Sequence, residues 1–62
     1  MNFRNITTDD LLGRIRPGST VYKDKNTPLV VEDVHWFGDY ALDIISCNNG
    51  RSYPATDLLI AV

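Results

Sequence analysis

The spacing of its turn-forming residues constrains the fold of this chain more than any other feature. They interrupt the sequence at short intervals at Pro17-Gly18, at residues 24–28, at Phe37-Gly38-Asp39 and at Asn49-Gly50. Asn-Gly is the strongest short hairpin signal, because both turn positions tolerate a positive φ. The runs between the turns are too short for long helices, so this spacing favours a small barrel or sandwich over a parallel sheet.

The segment before the first of these turns predicts a short helix over about residues 7–15. Its start carries two threonines and two aspartates. A threonine hydroxyl can cap free backbone N–H groups, and the carboxylates suit the positive end of the helix dipole. Leu11, Leu12 and Ile15 then supply an apolar stripe. A helix of about two turns is not stable alone in water, so it must dock on the rest of the chain.

The remainder predicts five short strands and one turn of 3-10 helix. Adjacent acidic residues at Glu32 and Asp33 indicate a bulge or a strong bend in the second strand. In the third strand, alternation predicts Leu42 and Ile44 as the inward residues. Pro54 ends its strand or marks a sheet edge. The predicted strands cover residues 19–23, 29–36, 40–46, 51–53 and 59–62, and the 3-10 turn covers 55–58.

Two runs of this chain resemble those of small SH3-like β-barrels. The run IRPGSTV (residues 15–21) resembles their opening, a Pro-Gly turn that leads into a first strand ending in valine. The run NGRSYPATDL (residues 49–58) resembles their close, a hairpin followed by a 3-10 turn bearing Asp-Leu. The resemblance implies a mainly β chain of the kind frequent in bacteria and phages, a five-stranded SH3-like barrel over about residues 18–62. A short N-terminal helix precedes it, within a single domain of residues 1–62.

Composition places the chain among soluble globular proteins. Its 62 residues are 44% hydrophobic, an ordinary globular fraction. Cys47 is the sole cysteine, so no internal disulfide forms, which favours a reducing cytoplasm. The longest apolar run, residues 58–62, falls far short of the roughly 20 residues that cross a bilayer. We therefore expect a cytoplasmic chain with no membrane partner.

The formal charge of −2 is unevenly distributed along the chain. Residues 1–25 hold five cations and three anions, whereas residues 26–62 hold Arg51 against five anions. The five N-terminal cations predict a basic patch that would suit nucleic acid, or else they complement the helix dipole and keep the chain soluble. These residues are Arg4, Arg14, Arg16, Lys23 and Lys25.

The groups that usually carry chemistry lack the spacing of a catalytic or metal site. His35 is the sole histidine, and we expect it to be a half-exposed strand residue, although Cys47 and Asp39 are conceivable catalytic partners. One histidine and one cysteine do not supply the ligands of a zinc site. Cys47 is expected to be buried, and Asp43 and Asp57 to lie with Asp39 on a solvated rim. The sequence predicts no catalytic residue, no cofactor and no metal, and hence no enzyme.

Aromatic residues gather at one predicted turn. Trp36 and Phe37 precede Gly38, Tyr40 follows it, and His35 is adjacent. Aromatic side chains at a loop tip are typical of partner recognition, although Trp36 would equally serve to cover one end of a barrel. We therefore expect a non-catalytic protein-binding or regulatory module. Nucleic-acid binding through the basic residues and a homo-oligomeric subunit paired through residues 58–62 are the alternatives.

Overall fold

The computed structural model describes residues 2–38 and 42–62, which form a small, mainly β molecule. Its six strands make one antiparallel sheet in the order β1-β6-β2-β3-β4-β5. In chain order the elements are β1 (Phe3–Asn5), α1 (Thr8–Gly13), β2 (Thr20–Asp24), β3 (Thr27–His35), β4 (Ile44–Cys47), β5 (Ser52–Pro54), a 3-10 turn (Ala55–Asp57) and β6 (Leu59–Ala61).

The predicted five-stranded barrel is wrong, because the sheet has six strands and is not closed. The additional strand, β1, precedes the helix and pairs with β6, with Phe3 opposite Ala61. Closure requires the two outermost strands of a sheet to pair with each other, whereas β1 and β5 are the free edges of the described strands. Both edges are poor templates for further pairing, since β1 has three residues and β5 ends in Pro54, which has no N–H to donate.

The bulge predicted at Glu32 is confirmed, and it lies where β3 changes its partner strand. The register of β3 against β4 shifts between Val31, which lies opposite Cys47, and Asp33, which lies opposite Ser46. Before the bulge β3 pairs with β2, and from Val31 onward it pairs with β4. A bulge bends its strand and increases the local twist, so β3 bends where its partner changes from β2 to β4.

The buried core is built from α1, β2, β3, β4, the 3-10 turn and the connections next to them. Its buried residues are Ile6, Leu11, Ile15, Val21, Leu29, Val31, Ile45, Cys47, Ala55 and Leu58. The burial of Cys47 confirms its expected place as a small apolar residue. Burial, with a smaller contribution from Glu32, raises the pKa of the Cys47 thiol.

The helix is shorter than predicted and buries one side only. Thr7 is its N-cap and Asp10 completes a capping box, so the predicted capping is confirmed. Leu11 and Ile15 are buried, but Leu12 is 65% exposed. Successive residues of a helix are about 100° apart, so six residues docked through Leu11 leave Leu12 facing outward. No helix among the described residues has the length and apolar character needed to cross a membrane.

The inward face of β4 is the opposite of the predicted one. Ile45 is fully buried between Val34 and Tyr53 on the neighbouring strands, whereas Leu42 is exposed and Ile44 is half-buried. Successive side chains of a strand point to opposite faces, so placing Ile45 rather than Ile44 in the core reverses which face of the whole strand is buried. Both are isoleucines, and alternation alone does not distinguish them.

Candidate partner-binding loop

The largest concentration of exposed apolar side chains lies on the connection from β3 to β4. This connection, residues 36–43, is called the aromatic loop below, and its residues 39–41 lie outside the described part. Trp36 is 43% exposed, Phe37 65% and Leu42 59%. They are three of the six large hydrophobic residues that are exposed in the described part of the chain. Single exposed apolar residues are ordinary, and this loop differs in carrying three of them within the described residues.

Asp43 fixes the base of the aromatic loop. The backbone N–H of Phe37 donates to Asp43 Oδ1 at 2.8 Å, which brings the two ends of the loop together. The backbone carbonyl of Asp43 in turn accepts from the N–H of Ala55 at 2.9 Å. Gly38, with φ of +79°, allows the chain to turn directly after Phe37. The exposed side chains of the loop therefore project from a hydrogen-bonded base.

The expectation that Asp43 lies on a solvated rim is wrong, because its side chain is fully buried. Its Oδ2 atom has no hydrogen-bond partner within the described residues. A buried carboxylate oxygen without a donor is unfavourable, and native structures contain few of them. A signal for this burial exists in the sequence, because Asp43 shares the face of Ile45 and Cys47 by strand alternation.

His35 lies in a polar group on the outer face of β3 to β5. Its Nε2 atom is 3.1 Å from Ser46 Oγ and 3.8 Å from the Asp33 carboxylate, and Ser46 Oγ is 3.0 Å from Ser52 Oγ. The ring is half-exposed, as predicted. In a catalytic relay the nucleophile and the orienting carboxylate bind different ring nitrogens, but here the Ser46 hydroxyl and the Asp33 carboxylate approach the same one. The group joins three strands through their side chains.

Three of the five cations predicted as a basic patch are engaged within the molecule. Arg4 donates to both oxygens of Asp10, at 2.7 and 3.0 Å. Arg16 donates to the carbonyl oxygen of Gly13 at 2.9 Å, and Lys23 Nζ lies 5.3 Å from the centre of the Tyr53 ring. Arg14 and Lys25 are exposed. These internal contacts compete with any phosphate that would bind the same side chains.

The remaining predicted binding residues have other positions. Tyr40 and Asp39 lie outside the described residues, and Asp57 is exposed in the 3-10 turn. The strand expected to pair between two copies, β6, already has β1 on one side and β2 on the other. Its backbone is therefore committed within the chain. Among the residues that the structure describes, no three His, Cys, Asp or Glu side chains are grouped to hold a metal ion.

Comparison with known proteins gives no relative. No protein-family model, no curated protein and no solved structure matches this chain. The function is therefore inferred from the side chains of the chain itself.

Proposed function

We propose that this chain is a non-catalytic protein-binding or regulatory module and that the aromatic loop is its contact surface. The observation that carries the proposal is the exposure of Trp36, Phe37 and Leu42 on one loop whose base is held by Asp43. Burying one large apolar side chain in an interface contributes about 1.5–3 kcal/mol. Tryptophan in particular is enriched among the residues that contribute most to protein interfaces.

The anchoring of the loop also favours binding. A surface that is ordered before it meets its partner loses less conformational freedom on binding. The Phe37 N–H to Asp43 hydrogen bond and the hydrogen bond from the Ala55 N–H to the Asp43 carbonyl hold Phe37 and Asp43 in place without using the exposed side chains. The apolar groups therefore remain available to a partner.

The proposal is tested by placing a photo-crosslinking phenylalanine analogue at position 37 in the cells that make this protein. We expect one discrete crosslinked species from position 37 that is lost when Trp36→Ala is combined with it. The same analogue at Lys25, an exposed position in the turn before β3, is the matched control and gives no such species. Equal crosslinking from both positions, or none from position 37, contradicts the proposal.

A further inference from the structure

We propose that Asn49 is a site of self-modification which the folded hairpin of β4 and β5 holds unreactive, so that its side-chain amide converts to a carboxylate only when the turn opens. Residues 48–50 form this turn, which is called the hairpin turn below and is exposed to solvent. The inference does not involve the aromatic loop, so its test is independent of the proposed function.

The hairpin turn contains the reactive pair Asn49-Gly50. The main-chain nitrogen of Gly50, after losing its proton to hydroxide, attacks the side-chain carbonyl carbon Cγ of Asn49. A succinimide ring forms, the bond from Cγ to Nδ2 breaks, and ammonia leaves with a proton taken from water. One water molecule then opens the ring and yields aspartate or isoaspartate at position 49. Glycine favours the attack, because it has no side chain to hinder the approach of its nitrogen to Cγ.

The folded hairpin turn withholds the attacking nitrogen. The N–H of Gly50 donates to the carbonyl oxygen of Cys47 at 3.2 Å. An N–H in such a hydrogen bond loses its proton to hydroxide only after the bond opens, as in the exchange of amide hydrogens. The ends of the turn are closed as well, because the N–H of Cys47 donates to the carbonyl oxygen of Arg51 at 2.9 Å. Reaction therefore requires the turn to open first.

The side chain of Asn49 is held at both of its polar atoms. Its Nδ2 donates to the hydroxyl oxygen of Tyr53 at 2.9 Å, and its Oδ1 accepts from the N–H of Arg51 at 3.0 Å. Succinimide formation detaches Nδ2 and removes the hydrogen of the Gly50 nitrogen. It therefore ends two hydrogen bonds of the folded turn, the one to Tyr53 and the one to Cys47, and their loss opposes the reaction.

The surroundings of the hairpin turn are themselves fixed to the sheet. The N–H of Asn48 donates to the carbonyl oxygen of Val30 at 2.9 Å, and Asn48 Oδ1 accepts from the N–H of Val30 at 3.2 Å. The ring of Tyr53 packs against the core, and Lys23 Nζ lies 5.3 Å from its centre. Opening the turn is therefore a local unfolding event at this end of the sheet.

The modification leaves a permanent record in a hairpin that has opened. Either product adds a negative charge to the exposed turn and removes the Nδ2 donor from Tyr53. Isoaspartate in addition directs the main chain through the former side chain, which lengthens the turn by one carbon between the paired residues Cys47 and Arg51. Chains whose hairpin has opened are thereby distinguished chemically from those whose hairpin has stayed closed.

Incubation of the full chain at mildly alkaline pH measures the reaction. The aspartate and isoaspartate forms of the proteolytic peptide that contains position 49 are quantified by chromatography and fragmentation in a mass spectrometer. We expect the folded chain to react about tenfold more slowly, or more slowly still, than the same chain in guanidinium chloride, because two hydrogen bonds must open. Asn48 is an internal control, since the residue after it has a side chain, and it should react far more slowly than Asn49 in the unfolded chain.

Two tyrosine variants locate the protection. Tyr53→Phe removes the hydroxyl that accepts from Asn49 Nδ2 and keeps the ring. It should accelerate the reaction of the folded chain about fivefold, the change expected from one ordinary hydrogen bond. Tyr22→Phe is the matched control, because it removes the hydroxyl of another half-buried tyrosine, and it should react at the wild-type rate.

A third variant distinguishes local opening from unfolding of the whole molecule. Leu11→Val weakens the packing of the helix against the core and should leave the rate nearly unchanged. If it accelerates the reaction as much as Tyr53→Phe does, the chain reacts from its globally unfolded state and the proposal is overturned. Equal rates in the folded and the unfolded chain, or a wild-type rate in Tyr53→Phe, overturn it as well.

Discussion

Two buried aspartates, Asp10 and Asp43, differ in how many hydrogen bonds their carboxylates accept within the described residues. Asp10 accepts from two Arg4 nitrogens, from the Thr7 N–H at 2.8 Å and from the Thr7 hydroxyl at 2.9 Å. Its charge is compensated, and it connects β1 to the start of α1. Within the described residues, the side chain of Asp43 has one hydrogen bond, from the N–H of Phe37. Asp10 is therefore explained by stability, whereas Asp43 holds the base of the aromatic loop through the Phe37 N–H.

The network around Asp10 makes stability depend on pH in a defined direction. The Arg4 guanidinium, with the donors of Thr7, holds the pKa of Asp10 well below its ordinary value of 3.8. A carboxyl whose pKa is lowered by folding stabilises the folded state fully above its ordinary pKa and loses this contribution as the pH falls towards the folded pKa. We therefore expect the free energy of unfolding of the wild type to fall more steeply below about pH 4 than that of Asp10→Asn.

Urea unfolding at a series of pH values measures this difference. Asp9→Asn is the matched control, because Asp9 is an exposed aspartate in the same helical turn, and this variant should follow the wild-type curve. Parallel curves for the wild type and Asp10→Asn would show that the Arg4 contact does not influence the titration of Asp10.

At the residue scale the local part of this network was predictable and the remote part was not. The threonines and aspartates of residues 7–10 predict a capped helix start, because capping depends on neighbours in the sequence. The Arg4 contact depends on β1, a three-residue strand that is too short for an alternation signal. Arg4 was consequently predicted as part of a basic patch, although the fold pairs it with Asp10.

At the scale of elements, β4 shows where sequence patterns stop being decisive. Four consecutive residues, 42–45, contain three apolar side chains, so the acidic Asp43 determined the predicted outward face. In the fold, the pairing of β4 with β3 and β5 places Ile45 inside and Asp43 with it. The bulge at Glu32 was predictable because two adjacent acidic residues interrupt an apolar strand. The open six-stranded sheet was not predictable, because its additional strand, β1, is too short to show an alternation of apolar and polar residues.

Substitution of the two neighbouring isoleucines tests this register. Ile45 is fully buried, so Ile45→Ala should lower the free energy of unfolding by about 3 kcal/mol, through lost apolar contact and the cavity that remains. Ile44 is half-buried, and Ile44→Ala should cost about 1 kcal/mol. Urea unfolding provides both values. A larger loss for Ile44→Ala than for Ile45→Ala would mean that β4 presents the opposite face to the core.

At the scale of the whole molecule, charge and apolar surface are segregated along β3. The exposed cations Lys23 and Lys25 lie near its start, and the aromatic loop with Glu32 and Asp33 lies towards its end. The two edge strands offer little to a further strand, since one is short and the other ends in Pro54. Side-chain contact at the aromatic loop is therefore better supported as a mode of association than extension of the sheet.

This segregation predicts how ions in solution reach Trp36. Relative to free N-acetyltryptophanamide, caesium should quench the fluorescence of Trp36 more efficiently than iodide at low ionic strength, because the exposed carboxylates of Glu32 and Asp33, which precede Trp36 in the chain, attract cations and repel anions. The difference should largely disappear at about 1 M salt, where the Debye length is about 3 Å. Glu32→Gln with Asp33→Asn should reduce the preference for caesium, whereas Asp9→Asn with Asp24→Asn should retain it. If iodide quenches as efficiently as caesium at low salt, the electrostatic potential at Trp36 is not negative, and the exposed carboxylates of β3 do not act on the aromatic loop.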